Sequence, residues 1–105
     1  MIWIATRHAA TIEWLRRRGI VGDRVVAHFD DGTLPARGDI VVGVLPVEWF
    51  ARLCSLGVRC IHLAVEWPRE LRGRTLTVDE LETLAPHLVE VRVAIVGDVD
   101  PYSLR

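Results

Sequence analysis

The sequence predicts a single α/β domain in which about five mostly parallel strands are flanked by three helices. Three observations lead there. Short apolar runs alternate with stretches of helical periodicity along the chain. Those runs are continuous rather than alternating, as strands buried on both faces require. A chain of 105 residues has room for one core, which buries roughly 60–70% of the surface exposed by the unfolded chain. Half of the residues are apolar and the mean hydropathy is +0.25, which excludes disorder arising from low hydrophobicity.

Ile2–Ala5 is the first apolar run. Helical spacing follows over His8–Arg18, with Ala9, Ile12 and Leu15 on one stripe and Gly19 as the stop. Arg24–Phe29 is the second strand, and a turn opens at Asp30-Asp31-Gly32. Asp39–Leu45 is the third strand. Because only this turn separates it from the second, one pair or edge of the sheet is expected to be antiparallel. Pro46 suits the first turn of a helix, whose apolar face is Trp49, Phe50, Leu53 and Cys54, and Gly57 closes it. Val58–Val65 is the fourth strand, followed by a polar loop, Pro68–Arg74.

Thr77-Val78-Asp79-Glu80 is a capping box, so a third helix starts there, with Leu81, Leu84 and Leu88 inward and Pro86 bending or ending it. Val91–Val96 is the expected fifth strand. Alternation of this kind describes a small Rossmann-like sheet covered on both faces. Ligands of such sheets sit outside the carboxyl ends of the strands. The loops to inspect are therefore those at Thr6–His8, Asp30–Gly32, Leu45–Pro46, Glu66–Arg74 and Gly97–Asp100.

Thirteen arginines meet fourteen acids with no lysine, for a formal charge of −1. The absence of lysine, asparagine and glutamine reads as the codon bias of a GC-rich genome. Residues 79–105 carry a net −4 and residues 1–78 a net +3. This balance excludes a general DNA- or RNA-binding surface but leaves room for local arginine clusters that hold a small polyanion. No apolar run approaches the ~20 residues of a membrane span, and Met1–Thr6 lacks the flanks of a signal peptide. The expectation is a cytoplasmic protein that needs no cofactor. Cys54 and Cys60 lack metal-ligand spacing and read as buried thiols.

Thr6-Arg7-His8 stands where the first strand becomes the first helix, so backbone N–H groups and the helix dipole face the same point as the side chains. Arginine can grip a phosphate bidentately, threonine can donate to it, and histidine can move a proton near neutral pH. The plainer reading is that Thr6 caps the helix while Arg7 and His8 are solvated. Arg69, Arg72 and Arg74, with Gly73 among them, suit phosphate contacts or a solvated loop. Arg16-Arg17-Arg18 reads as a solvated helix end. His28 and His62, inside apolar runs, read as core histidines. Asp30, Asp31, Asp98 and Asp100 fit ordinary turns, or a Mg²⁺ site if they gather at one sheet edge. Trp14 lies off the apolar stripe, as an outward aromatic on which a base stacks or as a side chain partly buried by a neighbouring element.

The ordered set Thr6-Arg7-His8, Glu13-Trp14, Gly38-Asp39, Leu45-Pro46, His62-Leu63, Pro68, Arg72-Gly73 and Thr77-Val78-Asp79-Glu80 resembles the small CRISPR-associated accessory proteins of the sixteenth Csx family. The likeness runs from Met1 to about Leu84. It implies a CARF-like version of the Rossmann-like domain and a setting in type III CRISPR defence. It also implies ring-nuclease activity, the opening of cyclic tetra-adenylate to switch off a second-messenger signal.

On that implication the scissile phosphate is attacked by the substrate's own ribose 2′-OH, without a metal. The expected catalytic residues are Arg7 and His8. The expected substrate contacts are Thr6, Arg7, Leu45, Pro46, Arg69, Arg72, Arg74 and Trp14, and the two-fold symmetry of the ring favours a homodimer. Two rivals stand beside it: a non-catalytic protein that sequesters the same ligand, and a Mg²⁺-dependent phosphohydrolase using the aspartates.

Overall fold

The computed structural model describes every residue, Met1–Arg105. Five strands form one sheet: β1 (Ile2–Ala5), β2 (Arg24–Val26), β3 (Ile40–Gly43), β4 (Arg59–Ala64) and β5 (His87–Val91). Three helices connect them: α1 (Ala9–Arg16), α2 (Val47–Ser55) and α3 (Val78–Thr83). The strand order is β2-β1-β3-β4-β5. The first four strands are parallel, with Trp3 opposite both Arg24 and Val41, and β5 runs antiparallel to β4. No helix is long and apolar enough to cross a membrane.

The antiparallel edge is therefore formed by β4 and β5, not by the two strands on either side of the turn. β2 and β3 never meet, because they flank β1 on opposite sides. Residues 27–39 must return from the carboxyl end of β2 to the amino end of β3, and they do so across a sheet face without a helix. Phe29 anchors this crossover, 5.8 Å from the Trp3 ring centroid and 6.0 Å from that of Trp49. Leu34 packs against the same cluster. Asp30 holds the turn by accepting from the N–H groups of Gly32 (2.8 Å) and Thr33 (3.1 Å).

The sheet buries both faces. Trp3, Val41, Phe50, Leu53 and Cys60 form the core under α2, and Ile4, Leu15, Val42, Leu63 and Leu81 form the core under α1 and α3. Cys54 and Cys60 are free thiols with Sγ atoms 3.6 Å apart. Burial, and then the neighbouring Cys54, push the Cys60 thiol up to about 12. Gly19 and Gly57 end α1 and α2 with φ of 80° and 82°, a conformation open to glycine at little cost.

The capping box of α3 forms as expected. Glu80 N–H donates to Thr77 Oγ1 and Thr77 N–H to Glu80 Oε1, each at 3.1 Å. The fifth strand spans His87–Val91, so it ends where it was expected to begin and residues 92–96 lie outside the sheet. Ala85 takes a positive φ of 50° ahead of Pro86, so the chain reverses at once and His87 already pairs with Ala64. Leu88 consequently belongs to the sheet rather than to α3.

Candidate functional site

β1 and β3 are neighbours whose outgoing connections lead to opposite sides of the sheet, since β1 is followed by β2 on one side and β3 by β4 on the other. Such a switch point opens a crevice at the carboxyl ends of the strands. Here it is a cleft of about 440 Å³. Thr6, Arg7 and His8 from the end of β1 line it, together with Val44 from the end of β3 and Val65 and Trp67 from the end of β4. Gly43 lets the two central strands close up at this point, because a Cβ there would stand 2.3 Å from the Ala5 carbonyl oxygen.

The Thr6-Arg7-His8 corner is held by backbone bonds. Thr6 N–H donates to the Val26 carbonyl (2.9 Å), and His8 N–H donates to Thr6 Oγ1 (3.1 Å). His8 is the N-cap of α1, and no side chain caps that turn. The first N–H groups of the helix therefore lack an intrahelical acceptor, and the positive end of its dipole faces the cleft. Thr6 spends its hydroxyl on the loop rather than on the helix.

A second depression of about 360 Å³ shares His8 and Trp67 with the first and adds Arg72, Gly73, Arg74 and Thr75. The two expected clusters thus meet, with His8 and Trp67 between them. Arg7, Arg69 and Arg72 take part in none of the molecule's ion pairs. Arg74 differs, since its guanidinium is bound to the Glu80 carboxylate. The Thr77 N–H, and then the charge of Arg74, hold Glu80 below the usual carboxylate range. Arg69 lies in a 3₁₀ turn (Arg69–Leu71), exposed and outside the lining of both depressions.

Three other expected contacts lie elsewhere. Leu45 turns to the opposite face and packs against the core under α2. Pro46 caps α2 and borders a groove with Trp49, so only Val44 of that loop reaches the cleft. Trp14 corrects the outward reading. It is 2% exposed and packed among Ile4, Leu15 and Leu81, because α3 covers the side of α1 that the helical stripe alone leaves open. The aspartates do not gather: Asp31 pairs with Arg52 at 2.5 Å, and Asp100 accepts from Tyr102 N–H at 3.0 Å.

Two cleft residues escaped the sequence reading. His28 is exposed and lines the cleft, since β2 ends at Val26 and the histidine falls beyond the sheet. Trp67 is half-buried and borders both depressions. Its place directly after the fourth apolar run, at the rim where ligands bind, was the available signal. His62 remains near the core, edge-on to Phe50 at 5.9 Å.

Fold and site together define a mixed α/β domain of Rossmann-like architecture with unpaired arginines at the carboxyl edge of its sheet. The family model described as "Putative CRISPR-associated protein (Cas_VVA1548)" matches residues 3–94, and the chain belongs to that family of CRISPR-associated proteins. No curated protein and no solved structure matches it.

Proposed function

We propose that this protein is a ring nuclease that opens cyclic tetra-adenylate, acting as a CARF-like accessory of the kind found in the sixteenth Csx family. The observation that carries the reading is the convergence of Arg7, His8 and His28 with Trp67 at the switch-point cleft, beside Arg72. A ring of four adenosines needs cations for its phosphates and flat apolar surfaces for its bases. Trp67 takes the stacking role expected of Trp14, and Arg7 and Arg72 hold phosphates.

The nucleophile belongs to the substrate. The ribose 2′-OH attacks the adjacent phosphorus, the P–O5′ bond breaks, and the products end in 2′,3′-cyclic phosphate and 5′-OH. The protein aligns the 2′-OH with the leaving oxygen and stabilises the charge growing on phosphorus through Arg7 and the free N–H groups of α1. Two imidazoles on one cleft divide the proton work, one accepting from the 2′-OH and the other donating to the 5′-oxygen. The four-unit ring has two-fold symmetry, and a homodimer presents the same edge to it twice.

Incubation with cyclic tetra-adenylate in EDTA, followed by mass analysis, tests the reading. Linear products with cyclic-phosphate ends are expected. Tight binding without turnover would make the protein a sequestering one, and activity abolished by chelation and restored by Mg²⁺ would replace the intramolecular route.

A further inference from the structure

The last ten residues stand away from the body. The radius of gyration is 15.4 Å, against about 13 Å for a compact chain of this length. Val96 is fully exposed, and Val99, Tyr102 and Leu104 are each at least 60% exposed. No hydrogen bond joins residues 96–105 to the rest of the molecule. The segment is nonetheless built. Asp100 caps a 3₁₀ turn over Pro101–Leu104, and the Arg105 guanidinium lies 4.4 Å from the Tyr102 ring centroid. The family match stops at residue 94, next to the point where the chain leaves the body.

That point is the edge of a groove. Pro46, Val47 and Trp49 at the start of α2 line a depression of about 850 Å³ together with Ile95, the last residue before the arm departs. Val47 is 65% exposed there. The five residues before the 3₁₀ turn span at most about 17 Å and the turn adds roughly 8 Å, enough to cross to a neighbouring molecule. Gly97, with φ of 156°, sits where the arm turns away.

We infer that residues 96–105 form an exchange arm, whose apolar side chains seat in the α2 groove of a second copy of this chain while that copy's arm seats in return. The occupant is a second copy because groove and arm adjoin at Ile95, so a two-fold axis beside this residue brings each arm to the other's groove. Asp98 and Asp100 on the arm meet a body whose residues 1–78 hold the excess of arginines. The inference rests on the two-fold dimer proposed above and names the surface that makes it.

Sedimentation or light scattering across a dilution series tests it on three full-fold proteins: the whole chain, a chain ending at Ile95, and Val47→Asp. The arm supports no core residue, and an acid in the first turn of α2 suits the helix dipole, so circular dichroism should match in all three. The whole chain is expected to be dimeric, with each variant's dimer Kd raised at least 100-fold. Mixing the two variants should recover a heterodimer, since one brings an intact arm and the other an intact groove. A monomeric whole chain would overturn the two-fold reading itself. A dimer untouched by truncation, or variants that fail to rescue one another, would overturn the arm alone.

Discussion

The Arg18 guanidinium lies 3.8 Å from the centroid of the Trp14 ring. Its two terminal nitrogens donate to Glu82 at 2.8 and 2.9 Å. One side chain thereby covers a buried indole and ties α1 to α3, the two helices roofing the face beside the cleft. Arg17 adds Asp79 at 3.3 Å. The arginine triplet at the end of α1 is thus largely a fastening, while Arg7 and Arg72 stand unpaired at the cleft.

The Arg18 hydrogen bonds, and next the charges of Arg18 and Arg17, hold Glu82 below its ordinary value of 4.5. A carboxylate depressed in the folded state contributes stability that is present above its unfolded value and lost as pH falls through the folded one. Arg18→Ala should lower the urea midpoint at pH 7 and flatten the fall in stability below pH 4.5. Equal acid sensitivity in both proteins would contradict this.

Arg7→Ala should slow single-turnover cleavage by ~10²–10³-fold, the usual cost of losing one donor to transition-state charge. Arg7 is exposed and bears no packing, so the melting temperature should barely move. Lysine should restore part of the rate, keeping the charge but not the planar fork. A rate within tenfold of the parent, with ligand bound, would remove Arg7 from the chemistry.

If His8 and His28 share the proton transfers, cleavage should follow a bell-shaped pH profile. Replacing either by alanine should erase one limb and cost about 10²-fold. A profile unchanged in His28→Ala would make that residue a lining group only.

Arg72→Ala should weaken binding of the cyclic ligand more than it slows the bound complex, and more at low salt than at high. Arg74→Ala should have the smaller effect on affinity, because Glu80 already occupies its guanidinium. Titration of the ligand at two ionic strengths distinguishes these arginines.

Gly43→Ala should destabilise the domain by about 1–3 kcal/mol, the range for forcing atoms into a packed site. The added methyl meets backbone of β1 rather than a movable side chain. Cleavage should fail with it, since the strands it separates carry Thr6-Arg7-His8 and Val44. A variant of parental stability would show that β1 and β3 part there without cost.

Much of the fold was legible because local chemistry determines it. Continuous apolar runs specified β1, β3 and β4, a threonine and a glutamate three residues apart specified the start of α3, and glycines marked the ends of α1 and α2. The Thr6-Arg7-His8 corner was legible for the same reason, since a strand that turns into a helix exposes N–H groups whatever lies around it. Strand order was not. Nothing within Arg24–Leu45 says that β2 and β3 will lie on opposite sides of β1, because that depends on Phe29 and Leu34 finding the Trp3 side of the sheet. Nor does helical spacing show that α3 will cover Trp14, or that β2 will stop two residues short of His28. Periodicity reports which side chains share a face of one element. Which faces meet, and which side chains are left at the open edge, is set by long-range burial, and that exists only once the sheet has assembled.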